Sequence, residues 1–144
     1  MRPGLAAVLI ALVAALGASA QGHVVANGAG VEIYRGQTSG YELAVRVQPG
    51  LPVVGAVHIT VTPLDASTSV AVERARITIV ALDPEGVPTY QARAVSSPSS
   101  PQYYDANITF ESPGAWTLSV DVSSDALGDV TFTVPLQIGD AADA

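Results

Sequence analysis

At 144 residues, with no cysteine, no lysine and a formal net charge of −7, the chain is one domain's worth of sequence that can build its core without disulfides. The missing cysteines leave the redox compartment open and exclude a lipid anchor on that residue type. An acidic balance repels phosphate backbones and anionic headgroups, which excludes nucleic acid and the membrane surface as partners.

Residues 1–20 read as an export signal. Arg2 gives a short basic start, residues 5–16 are an unbroken apolar run, and Ala18-Ser19-Ala20 is a small-residue cleavage site. The run is shorter than the roughly 20 residues of a spanning helix, and no later stretch is apolar enough to span. The expected location is therefore extracytoplasmic, periplasmic or secreted. Cleavage after Ala20 leaves 124 residues carrying five arginines against thirteen carboxylates, a net charge of −8.

A glycine-rich lead-in occupies residues 21–39, with a first short strand at 31–35 and a turn cluster at 36–40. Tyr41, Leu43, Val45 and Val47 then alternate with Glu42, Ala44, Arg46 and Gln48, the period of a half-buried strand. Pro49-Gly50-Leu51-Pro52 breaks it. The alternation resumes over 53–62 with Val57, Ile59 and Val61 inward and His58, Thr60 and Thr62 outward, until Pro63 ends the strand or marks an edge. A polar turn at 65–69 leads to a strand at 75–82. There Ile77, Ile79 and Ala81 face one way while Val80 and Leu82 face the other, so both faces need cover.

Asp83-Pro84-Glu85-Gly86 is a turn, 89–95 returns as a strand, and 96–101 is a low-complexity Ser/Pro loop. Residues 103–122 read as a β-hairpin. Tyr104, Ala106, Ile108 and Phe110 line one arm and Trp116, Leu118, Val120 and Val122 the other, about a Pro113-Gly114 turn. After a turn at 125–129, Val130, Phe132, Val134, Leu136 and Ile138 form the closing strand, with Pro135 placing it at an edge or bulge. Residues 139–144 make an acidic tail expected to be disordered. About seven strands without helical periodicity predict an all-β sandwich of immunoglobulin or fibronectin type, with a closed barrel as the second choice.

Gly40-Tyr41, Pro49, Pro52, Gly55, Leu64-Asp65, Ala75-Arg76, Tyr104-Asp105-Ala106, Phe110 and the run from Pro113 through Val120 are the residues on which 40–138 resembles the YtkA-like exported domains. These are similar to FixH-like and CopC-like sandwiches. The resemblance implies an exported immunoglobulin-like module, and CopC-like relatives imply copper as a ligand. The chain departs from the methionine-rich pattern of some copper carriers: Met1 is its only methionine, so a thioether site for Cu(I) is not expected.

Processing creates the one constellation with specific metal chemistry. A mature terminus Gln21-Gly22-His23 offers a free amine, two amides and an imidazole, a square-planar nitrogen set for Cu(II) or Ni(II). Cleavage after Gly22 would instead put His23 itself at the terminus, and cyclisation of Gln21 would remove the amine. His58, outward on its strand, is a second ligand if the terminus lies along that face; otherwise it is solvated or bonded to a neighbouring threonine. Asp105 and Asp121 face outward from the two hairpin arms, a carboxylate pair for a hard cation weighed against simple solubility and edge protection.

Catalysis has no evident machinery, since there is no cysteine nucleophile and neither histidine has a recognisable Ser or Asp partner in the sequence. Asn107-Ile108-Thr109 matches a glycosylation sequon set inside a strand. Trp116, Tyr41, Tyr104 and Phe132 are expected in the core. Three functions follow: a non-enzymatic exported binding or accessory module, an extracytoplasmic copper(II)-binding protein, or an interaction domain that pairs through a sheet edge with an envelope or extracellular protein.

Overall fold

A computed structural model describes residues 30–141. Among them the chain forms eight strands: β1 (Val31–Thr38), β2 (Tyr41–Gln48), β3 (Gly55–Asp65), β4 (Arg76–Leu82), β5 (Pro88–Ser97), β6 (Ser100–Phe110), β7 (Gly114–Ser124) and β8 (Gly128–Ile138). Hydrogen-bonded neighbours run in the order β1-β2-β3-β6-β5-β4-β7-β8, and every named pairing is antiparallel. The array bends at β5, which pairs with β4 from Pro88 to Ala94 and has ladder partners on β6 at Val95 and Ser97. At the other end β1 comes alongside β8, with the Tyr34 and Phe132 rings edge to face at 6.3 Å. The all-β, sandwich-like array is thus nearly closed, which lies between the two architectures the spacing allows.

Alternation explains the core. Tyr41, Leu43, Val45 and Val47 of β2, Val57, Ile59 and Val61 of β3, and Tyr104 to Phe110 of β6 at every second position are buried. Ile77, Ile79 and Ala81 of β4, Trp116 to Val122 of β7 and Phe132 to Ile138 of β8 complete the same cluster. All the aromatics expected inside are there. Trp116 stacks on Tyr90 at 5.4 Å and meets the Phe110 edge at 5.0 Å, while its indole N–H donates to the Ser112 carbonyl at 3.0 Å.

Several local expectations need correction. Residues 103–122 are not a hairpin: β6 pairs with β3 and β5, and β7 pairs with β4 and β8. Pro113-Gly114 instead carries the chain from one half of the array to the other. Period-two patterning tells which face is buried but not which strand lies alongside, and both arms lay apolar faces on one core from opposite sides. The positive φ expected of Gly114 is present, at 134°, and a Cβ there would stand 2.7 Å from the Pro84 ring.

The turn cluster at 36–40 shrinks to Ser39-Gly40, both at positive φ (53° and 86°), the type I′ geometry that suits a two-residue hairpin. The Ser/Pro loop likewise contracts to Pro98-Ser99, with Ser97 opposite Ser100. Pro63 does not end its strand, since β3 runs on to Asp65. A strand residue points its N–H and C=O to the same neighbour. The Pro63 carbonyl accepts from Val72 N at 2.9 Å, on the side β6 has already left, so the missing donor takes nothing from the β2–β3 ladder. Pro135 sits in β8, which pairs only with β7, as an edge position allows.

Gly139, assigned to the tail, exchanges backbone bonds with Pro52 and Val54 at 2.9 Å. No helix among the described residues is long and apolar enough to cross a membrane.

Candidate functional site

Inward apolar residues leave the alternate positions of β2, β3 and β6 on one outer face, and register lines them up in rows. Arg46, Thr60 and Asp105 form one row; Gln48, His58 and Asn107 form the next. His58 bridges the two strands: its Nε2 lies 3.0 Å from Asp105 Oδ1 and its Nδ1 3.0 Å from Asn107 Oδ1. A neutral imidazole has one N–H to give, so both contacts are filled either by an imidazolium or by one N–H plus a turned Asn107 amide. Thr60 donates to the same Asp105 oxygen at 2.7 Å and, although it points outward, is only 7% exposed. The Arg46 guanidinium lies 5.9 Å from the Tyr103 ring centroid, and its Nε is buried without a hydrogen-bond partner.

Beside this row the β1–β2 hairpin holds its own ion network. Arg35 donates to Glu32 at 2.8 and 3.1 Å and to Glu42 at 2.6 Å, and Gln37 donates to Glu42 at 3.1 Å. Hydrogen bonds from Arg35 and Gln37 hold the Glu42 carboxyl below the usual carboxylate range. The same Glu32 and Glu42 contacts raise the Arg35 guanidinium further above its already high range. In the β3–β4 turn, the Ser67 hydroxyl and backbone N–H lower the Asp65 carboxyl.

Of the sequence-derived metal residues, Gln21, Gly22 and His23 lie outside the described residues. His58 is on the outer face as expected, but its partners are Asp105 and Asn107. Asp105 and Asp121 do not form a pair, because β6 and β7 are not neighbours. Asp121 accepts from Thr131 at 2.5 Å on the opposite half, in a shallow groove of about 510 Å³ that also holds Arg76, Ser123 and Asp129. There Arg76 donates to Ser123 and Ser123 donates to Asp129, at 3.0 and 2.6 Å. No group of three His, Asp or Glu side chains gathers to hold a metal among the described residues.

Arg46, Thr60 and Asn107 went unread as site residues. The sequence did put Thr60 and Asn107 near His58 or Asp105 along the chain, but only the β3–β6 pairing makes them one cluster.

With that geometry in view, the fold superposes on the crystal structure of a DUF4426 family protein from Pseudomonas aeruginosa. The TM-score is 0.56 at 18% sequence identity, over 76% of this chain and 95% of that chain. At such identity the likeness extends to the fold alone. No family model matches the sequence, and no curated protein matches it. The YtkA-like resemblance therefore rests on the residues that carry it.

Proposed function

We propose that the chain is an exported, non-enzymatic binding or accessory module of immunoglobulin-like, YtkA-like type, working through the outer face of β2, β3 and β6. The pairing order favours that architecture. β3 beside β6 and β4 beside β7 reproduce the B–E and C–F neighbours of an immunoglobulin sandwich, with β8 as the strand after F. The observation that carries the functional reading is the cross-strand cluster of Thr60, His58, Asp105 and Asn107 with Arg46 at its side. It concentrates hydrogen-bonding groups on one face, and Arg46 has no ion-pair partner among the described residues. The interaction-domain reading differs in placing the partner along a strand edge rather than on this face.

The test is photo-crosslinking of the exported chain in its own host from a probe at Thr62, beside the cluster. A partner adduct lost in Arg46→Glu and retained in Thr131→Ala, on the opposite half, is expected. An adduct indifferent to Arg46 would overturn the face assignment.

Copper(II) is the second reading, with the terminal amine and His23 as ligands and His58, on the outer face of β3, as the further one. The described chain also begins at Gly30 beside Val47, next to the Gln48–His58 row. Seven residue steps lead from His23 to Gly30, a span of up to about 25 Å, against about 10 Å for two strand spacings. The full chain is exported, its terminus fixed by intact mass, and Cu(II) titrated against the visible spectrum. A one-to-one band lost in His23→Ala and altered in His58→Ala is expected. No band from a sample with a free amine refutes copper binding and leaves the module reading standing.

A further inference from the structure

Arg46 lies over the Tyr103 ring, 5.9 Å from its centroid, and is the charged side chain on this face that has no ion-pair partner among the described residues. Its Nε is buried and makes no hydrogen bond, and native proteins rarely leave such a donor without a reason. Glu32 stands opposite it across β1 and β2, but both Glu32 oxygens are taken by Arg35. Thr60 stands on its other side and gives its proton to Asp105. Among the described residues Arg46 therefore has no ion pair. Asp105 is unmatched in the opposite sense: Oδ1 receives both His58 and Thr60, while no donor in the described residues reaches its other oxygen.

We propose that this face binds a small monocarboxylate carrying a hydroxyl or ammonium donor. The carboxylate meets the Arg46 guanidinium beside Tyr103, and the donor meets the open oxygen of Asp105. A guanidinium fork matches a planar carboxylate. A doubly charged phosphate fits less well, because Glu32 and Asp105 lie in the same row as Arg46 and repel a second negative charge. Arg46 and Asp105 flank Thr60 from the two adjoining strands, so their Cα atoms are about 10 Å apart, with Thr60 between them bonded to Asp105 and only 7% exposed. A ligand of a few heavy atoms spans that gap. This inference rests on reading the face as a binding surface and narrows it to a ligand class.

The full chain, labelled with nitrogen-15, is titrated with lactate and glycine while the arginine Nε–H signals are recorded. Acetate lacks the donor, lactamide lacks the charge, and inorganic phosphate carries a second charge; these serve as controls. A saturable shift of the Arg46 signal with lactate or glycine is expected, with acetate about tenfold weaker, the scale of one hydrogen bond to a charged group. Asp105→Asn should erase the advantage of lactate over acetate. Arg46→Gln should abolish lactate binding as read from the neighbouring backbone amides, and its thermal midpoint shows that it has folded. Arg46→Lys, which keeps the charge and loses the fork, should bind lactate more weakly.

The proposal is overturned by the absence of a saturable shift, by lactamide or phosphate binding as well as lactate, or by lactate binding that survives in Arg46→Gln. A crosslinked protein partner that depends on Arg46, with no small acid bound, overturns this inference alone and leaves the module reading intact.

Discussion

Replacing Trp116 with alanine removes the largest buried side chain and the joint between the two halves of the array. The indole is 2% exposed, is stacked on Tyr90 and abuts the edge of Phe110, and it anchors the Ser112 carbonyl where the chain crosses from β6 to β7. Truncating a buried tryptophan costs on the order of 3–5 kcal/mol. The two ring contacts place this site toward the upper end, since such pairs contribute ~0.5–1.5 kcal/mol beyond burial. With a urea slope of ~1–3 kcal/mol per molar for a domain of this size, the unfolding midpoint should fall by more than about 1 M. Trp116→Phe keeps an aromatic ring but loses the donor to Ser112, about 1 kcal/mol, and leaves a cavity where the larger indole stood, so its midpoint should fall between those of the parent and the alanine variant. Tryptophan emission is lost with the only tryptophan, so both variants are followed by far-ultraviolet circular dichroism. An alanine variant whose midpoint stays within about 0.3 M of the parent would refute the claim that this residue joins the halves.

Gly114→Ala should destabilise by about 1–3 kcal/mol, because φ is 134° and the new methyl would stand 2.7 Å from Pro84; Pro84→Ala in the same background should recover the steric part of the loss in a denaturation series. Tyr104→Phe removes a hydroxyl that donates to the Val72 carbonyl and accepts from Ala75 N, both at about 3 Å. A loss of about 1–3 kcal/mol is expected, with faster hydrogen exchange at the Ala75 amide as the specific sign. Glu42 is held below the ordinary carboxylate range in the folded state, so its stabilising contribution is present above that range and lost as pH falls through the lowered value. Arg35→Gln should therefore reduce the fall in thermal midpoint on acidification, and an unchanged acid limb would remove the Arg35–Glu42 pair from the account.

Fold class was legible because alternation is a local property. The inward residues expected on β2, β3, β4, β7 and β8 are buried, apart from Val130 at the start of β8, which is half-buried against the core, since a strand with one greasy face has a single way to satisfy it. What alternation cannot carry is adjacency. The apolar arms about Pro113-Gly114 would look the same paired to each other or facing each other across a core, and a short connection favours the hairpin reading. Here β6 is captured by β3 and β7 by β4, so the proline-glycine pair makes a crossover between the two halves. Strand ends were misjudged for a related reason. Ser, Gly and Pro at 36–40 and 96–101 signal turns, but two residues suffice for each hairpin and the remaining positions are taken into the strand ends.

The same exchange of neighbours decides what the candidate site is. Had β6 and β7 been paired, Asp105 and Asp121 would have shared a face and suggested a hard-cation site. With β6 against β3, Asp105 instead comes within 3.0 Å of His58 and 2.7 Å of Thr60, while Asp121 is taken up by Thr131 on the far half. Two acids that sequence spacing puts together are thus each hydrogen-bonded by side chains supplied by a different strand. Glu32 and Glu42, which could have balanced Arg46, are both bound by Arg35. Among the described residues the face consequently keeps one cation without an ion pair, two strands from a carboxylate with one oxygen unused. That residual polarity follows from strand adjacency and register rather than from any motif, so a relative that kept the alternation but lost Arg46 or Asp105 would retain the fold and lose the site.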